Sequence, residues 1–152
     1  MRVRASMVVL LACVAMPAQS HAADNSLMGT WEIVDAIAAP WTVVNERPAL
    51  AARGKKLLKL HITFAANAVS AKHGVFNCKK ARYETASYPA DAVFQAALPE
   101  PQTKHAKDLG LPPGEVPSVD VNCSTGLFSY HFLNKDTALL GYDNVIYTLK
   151  RQ

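Results

Sequence analysis

Period-two alternation of apolar and polar residues runs through most of this chain, and it limits the possible folds more than any other property. The cleanest case is Leu57 to Phe64, where Leu58, Leu60, Ile62 and Phe64 share one face and Lys59, His61 and Thr63 the other. Similar patterns run through Thr30 to Ala36 (Trp31, Ile33 and Asp35 against Glu32 and Val34), Ala81 to Tyr88, Ser118 to Asn122 and Leu127 to Leu133. Thr137 to Tyr142 and Val145 to Lys150 complete the set. Turn residues join neighbours at Ala65-Ala66-Asn67, Asn134-Lys135-Asp136 and Asp143-Asn144. Short strands with tight turns predict a mainly β fold: an antiparallel β-barrel or a strongly curled sheet. Asn45 to Arg53 is polar, is broken by Pro48, and reads as a loop or a short helix.

One stretch departs from the pattern. Six of the nine prolines lie between Pro89 and Pro117. Pro89 to Leu98 carries helix-start signals and an apolar side of Val93, Phe94 and Ala97, and Gln102 to Leu109 forms a second short helix stopped by Gly110. This predicts a helix-containing, Pro-rich insertion over about 89–117 within a single domain spanning 23–152.

The first 22 residues read as a secretory signal peptide. Arg2 and Arg4 precede a short apolar run, Pro17 breaks it, and Ser20-His21-Ala22 supplies small residues for cleavage before Ala23. The run is too short for a membrane anchor, so the expected location is periplasmic or secreted. A rival reading takes Leu10-Leu11-Ala12-Cys13 as a lipobox, with Cys13 lipidated and the protein tethered to a membrane. Net charge is +4 over the whole chain and drops once Arg2 and Arg4 leave. Without interleaved basic and aromatic residues, it argues against nucleic acid. Removal of Cys13 leaves Cys78 and Cys123, an even pair that reads as a disulfide in an exported chain. Its closed loop of about 45 residues is worth roughly 4 kcal/mol in the chain-entropy model. The two cysteines flank the insertion, so the bond is expected to pin the insertion's base.

Gly29-Thr30-Trp31, preceded by Leu27, resembles the Gly-x-Trp opening of the first strand of lipocalins and related calycin barrels. The resemblance implies that Gly29 and Trp31 are structural, and that a cation near the last strand, Arg151 or Lys150, lies across the Trp ring and closes one barrel end. It further implies a binding protein for a small apolar ligand or an envelope component.

The chemistry-bearing residues are sparse. His61 and His131 sit on the polar faces of two predicted strands and would converge if those strands were neighbours. No third ligand at metal spacing accompanies them, so no metal site, catalytic residue or cofactor is assigned. Ser124 lacks a nucleophile elbow. Glu32, Asp35, Glu84 and Asp120 alternate onto strand faces that would bring two carboxylates together. The aromatic residues form either the core or a ligand pocket, with Trp41, Tyr83 and Tyr130 as candidate ligand-binding residues and Trp41, after Pro40, at its mouth. The expected function is therefore non-enzymatic binding. The alternative is an interaction protein, such as an inhibitor or immunity factor against an envelope hydrolase, that inserts the Pro-stiffened segment 99–117 into a partner's cleft.

Overall fold

A computed structural model describes residues 26–152; the predicted signal peptide and Cys13 lie outside the described residues. Eight antiparallel strands form one sheet: β1 (Gly29–Ala38), β2 (His61–Ala65), β3 (Ala68–Ala71), β4 (Arg82–Pro89), β5 (Glu115–Cys123), β6 (Gly126–Asn134), β7 (Thr137–Tyr142) and β8 (Val145–Arg151). Their order is β3-β2-β1-β8-β7-β6-β5-β4. Each strand pairs with its sequence neighbour, β1 and β8 pair with each other, and the ladder is interrupted between β3 and β4. The sheet is strongly curled, a partial barrel with that one seam.

The curl is visible in the core. Phe64 on β2 meets Tyr130 on β6 edge to face at 5.0 Å, although three strands separate β2 from β6 within the sheet. Trp31 on β1 likewise meets Phe132 on β6 at 6.0 Å. With Ile33, Ile62, Leu140 and Leu149 also buried, the concave side is a filled core, not a hollow lumen. Full burial of each such side chain contributes about 1.5–3 kcal/mol.

Helices occur in two places, so they are not confined to the insertion. Helix α1 (Arg47–Gly54), flanked by 3-10 turns at Val44–Glu46 and Lys55–Leu57, lies between β1 and β2 and packs Leu50 on the main core. Pro48 favours its first turn, where the missing N–H costs nothing. Helix α2 (Gln102–Asp108) belongs to the insertion, which occupies residues 90–114 because β4 and β5 pair from Arg82↔Asn122 through to Pro89↔Glu115. Pro117 therefore lies within β5. Pairing with β6 starts only at Ser118, so this proline sits where β5 is paired on the β4 side alone. The insertion folds back on the convex side of the sheet. There Val93, Leu98, Ala106 and Leu111 bury themselves against Val116, Leu139 and Ile146 in a second apolar cluster.

Two strand expectations need correction. In β1 the register slips between Ile33 and Asp35. This bulge at Val34 turns Asp35 outward and Ala36 into the core, so Asp35 does not share the face of Trp31 and Ile33. Strand β2 begins only at His61. The preceding residues form the 3-10 turn and a left-handed Lys59 (φ 65°), and Leu58 and Leu60 reach the core from this turn.

The disulfide joins Cys78 to Cys123, with Cα atoms 5.5 Å apart. It is not at the insertion's base. Cys123 follows the Arg82↔Asn122 end of the β4–β5 ladder, whereas the insertion leaves from the Pro89↔Glu115 end. Cys78 also pairs with Val69 of β3, so the bond ties β3 to β5 across the seam. Ala81 N–H donates to Asn67 O at 2.9 Å, and the Tyr83 hydroxyl donates to Ala68 O at 3.0 Å, on the same seam.

Candidate functional site

Among the described residues, the site that combines apolar walls with converging polar groups is a half-open cavity of about 370 Å³ on the convex side of the sheet. That volume is of the size that holds a small molecule. Its walls are Trp41, Tyr88, Phe94 and Tyr142, and its polar groups include Ser129, His131, Asp143 and Asn144.

Each wall has a local cause. Trp41 follows the end of β1, where Pro40 interrupts the strand, and its indole N–H donates to Asn144 Oδ1 at 3.1 Å. Asn144 is placed by the β7–β8 hairpin: Asp143 (φ 52°) and Asn144 (φ 61°) are both left-handed, as a tight two-residue turn demands. Asp143 on the rim is paired with Arg53 at 3.0 Å.

Phe94 belongs to the first part of the insertion. Phe94, Gln95 and Ala96 are three consecutive residues in the left-handed region, at φ 54°, 61° and 56°. Each non-glycine residue held there costs about 1–2 kcal/mol, which the surroundings must offset. Two contacts do so. The Phe94 ring lies over Gly141 of β7, where a Cβ would stand 2.9 Å from Phe94 Cδ1. The ring also meets the His131 imidazole edge to face at 4.8 Å and Trp41 at 5.6 Å.

His131 fastens the turn. The register Ala86↔Ser118↔His131↔Leu139 puts it on the convex side under the insertion, 2 % exposed. Its Nδ1 is 2.8 Å from Ser118 Oγ, and its Nε2 accepts from the Phe94 backbone N–H at 3.4 Å. Ser118 Oγ donates to Val116 O at 3.1 Å. One assignment satisfies every partner: Nδ1 carries the proton and donates to the serine, and Nε2 is the acceptor. Burial depresses the imidazole pKa to about 4, against a smaller opposing pull from Asp120, so the ring is neutral at pH 7. Ser118 is fully buried, so the Ser118–His131 pair is a fastening and not a nucleophile with its base.

A carboxylate row borders the cavity. Glu84 faces Asp120 directly across β4 and β5, and Asp120 faces the wall residue Ser129 across β5 and β6. The Tyr88 hydroxyl donates to Asp120 Oδ2 at 2.6 Å, and this bond, with burial second, pushes the phenol up to about 12. Asp120 Oδ1 is buried without a hydrogen-bond partner.

The residues singled out in the sequence fall in different places. Trp41 is in the cavity wall. Tyr130 is in the filled core against Phe64, where burial raises its phenol pKa further still. Tyr83 is at the β3/β4 seam, its phenol pushed up to about 12 by burial. These three do not share a site. His61 and His131 do not converge, because β2 and β6 are not neighbours; His61 is exposed and lies 3.7 Å from Glu32. Tyr88, Phe94, Tyr142 and Asn144 were not assigned to a site from sequence. The only signal for them was the turn composition at Asp143-Asn144 and the apolar side that includes Phe94. Of the paired-carboxylate candidates, Glu84 and Asp120 are the two that meet across adjacent strands.

At the chain ends, Arg151 lies opposite Trp31 in the β1–β8 ladder, with its guanidinium carbon 4.4 Å from the ring centroid. It donates to Met28 O at 2.6 Å and to Ser26 O. Gly29 has a φ of 109°, and a Cβ there would stand 3.5 Å from the guanidinium. Lys150 points away, exposed. The indole N–H of Trp31 donates to Leu27 O at 2.9 Å, so the closing Trp leaves no polar atom unpaired.

No helix among the described residues is long and apolar enough to cross a membrane, and no group of three or more metal-ligating side chains occurs among them. A disulfide fits an oxidising compartment outside the cytoplasm. No family model matches the chain, and no curated protein and no solved structure matches it.

Proposed function

We propose that this chain is an exported, non-enzymatic binding protein of the lipocalin-like kind, periplasmic or secreted, that takes a small and largely apolar molecule. The cavity on the convex side, rather than the barrel interior, is where the ligand sits. The observation that carries this reading is the strained left-handed turn at Phe94–Ala96, held by His131 so that Phe94 packs on Trp41 and the two form a continuous aromatic wall of an open cavity. Backbone strain of this kind persists where the surroundings hold it in place, and such places cluster at binding sites.

Trp41 reports the test. Titration with small aromatic and aliphatic alcohols is expected to change its fluorescence saturably, and Trp41→Phe to abolish the change while buried Trp31 continues to emit. A flat response of Trp41 to the whole panel would end the ligand reading. The second reading, an inhibitor or immunity factor, draws support from Val43, Val44 and Leu127, apolar side chains exposed by 63 %, 71 % and 58 %. The Pro-rich segment is not a free arm for such contact, because Leu98, Ala106 and Leu111 anchor it to the sheet.

A further inference from the structure

We infer that the cavity selects a cationic ligand: an ammonium group on a compact apolar body. The inference rests on the binding reading above and names the ligand's charge. Three rings, Trp41, Tyr88 and Phe94, line the site, and aromatic faces attract cations through their negative quadrupole.

The surrounding charges have the same sense. Glu84 and Asp120 stand directly opposite each other on β4 and β5, with Arg82 two residues along the same face of β4, so two like charges share one neighbouring cation and leave a net negative charge. Tyr88 joins this pair to the cavity, since it lines the wall and donates to Asp120 Oδ2. Asp120 Oδ1 is buried with no protein donor, and its field acts over a longer range at the lower dielectric beside the wall. Arg53, the cation at the rim, is engaged with Asp143 at 3.0 Å. His131, the remaining basic side chain in the wall, is neutral at pH 7 and uses its ring nitrogens on Ser118 and Phe94. A cation entering the cavity meets three aromatic rings and a negative field; an anion meets repulsion.

Three probes of similar size separate the possibilities in isothermal titration: benzyltrimethylammonium, benzyl alcohol and benzoate. The cation is expected to bind about tenfold more tightly than the alcohol, within the range of a partly desolvated cation–π contact, and benzoate not to bind measurably. Asp120→Asn keeps an acceptor for the Tyr88 hydroxyl and is expected to reduce the tenfold preference to about twofold. Glu84→Gln, at an exposed position, provides a second variant that leaves the core intact and is expected to reduce the preference by a smaller factor. Equal binding of cation and alcohol by the native protein would overturn the charge selectivity and leave the site standing. Failure of all three probes to bind would overturn both.

Discussion

His131 shows how one side chain ties stability to the shape of the site. Its neutral imidazole accepts the Phe94 N–H and donates to Ser118, while burial holds its pKa near 4, below the ordinary value of 6.5. Because the folded pKa is depressed, the unfolded chain binds more protons between these values, and stability rises with pH across that window. Acidification from about pH 6.5 to about pH 4 is therefore expected to remove up to about 3 kcal/mol attributable to this residue. Protonation would also place a second N–H against the Phe94 N–H and release the left-handed turn. The check is a series of urea denaturations from pH 7 to pH 4 on the native protein and on His131→Gln. The variant is expected to lack the His131 share of the slope, and identical slopes would contradict the assignment. Sequence reasoning placed His131 on a polar strand face, but not its partners. The insertion that covers it comes from a distant part of the chain, and only the sheet order reveals which residues it meets.

At the level of elements, the site depends on the contact between the Phe94–Ala96 turn and β7. Gly141 has no unusual backbone conformation; its lack of a Cβ is what admits the Phe94 ring. Gly141→Ala should force the ring outward, destabilise the protein by about 1–3 kcal/mol as an overpacked contact, and weaken binding at Trp41. In the double variant with Phe94→Ala the stability penalty of Gly141→Ala should largely vanish, a non-additivity read from chemical denaturation. Additive effects would separate the two residues. Most strands were legible in the sequence because each buries one face and alternates accordingly, and the Asp143-Asn144 turn because few dipeptides accept two positive φ values. The late start of β2 is not legible, because Leu58 and Leu60 are apolar residues that fit an alternating pattern whether or not the backbone is regular; the β1 bulge leaves only the break at Val34-Asp35, where the apolar and polar faces exchange. The segment of the left-handed turn at Phe94 carries the composition of an ordinary helix start, since tertiary contacts rather than local preference hold the turn.

On the scale of the whole molecule, the curl of the sheet decides where a ligand can go. An interior filled by Trp31, Phe64, Tyr130 and Phe132 has its chain ends closed by Arg151 over Trp31 and its seam tied by Cys78–Cys123. The polar chemistry lies on the opposite side of the sheet, where the insertion folds back and leaves a cavity against β6 and β7. An aromatic-rich barrel sequence does not distinguish these arrangements, because the same residues serve as core or as pocket lining, and the packing across the barrel decides between them. The most direct test is a backbone amide chemical-shift titration of the isotope-labelled protein with benzyltrimethylammonium. The predicted result is that shifts concentrate at 92–97, 127–131 and 141–144 while Ile62, Phe64 and Leu149 stay unchanged. Shifts concentrated on those three interior residues, with the convex side silent, would contradict it.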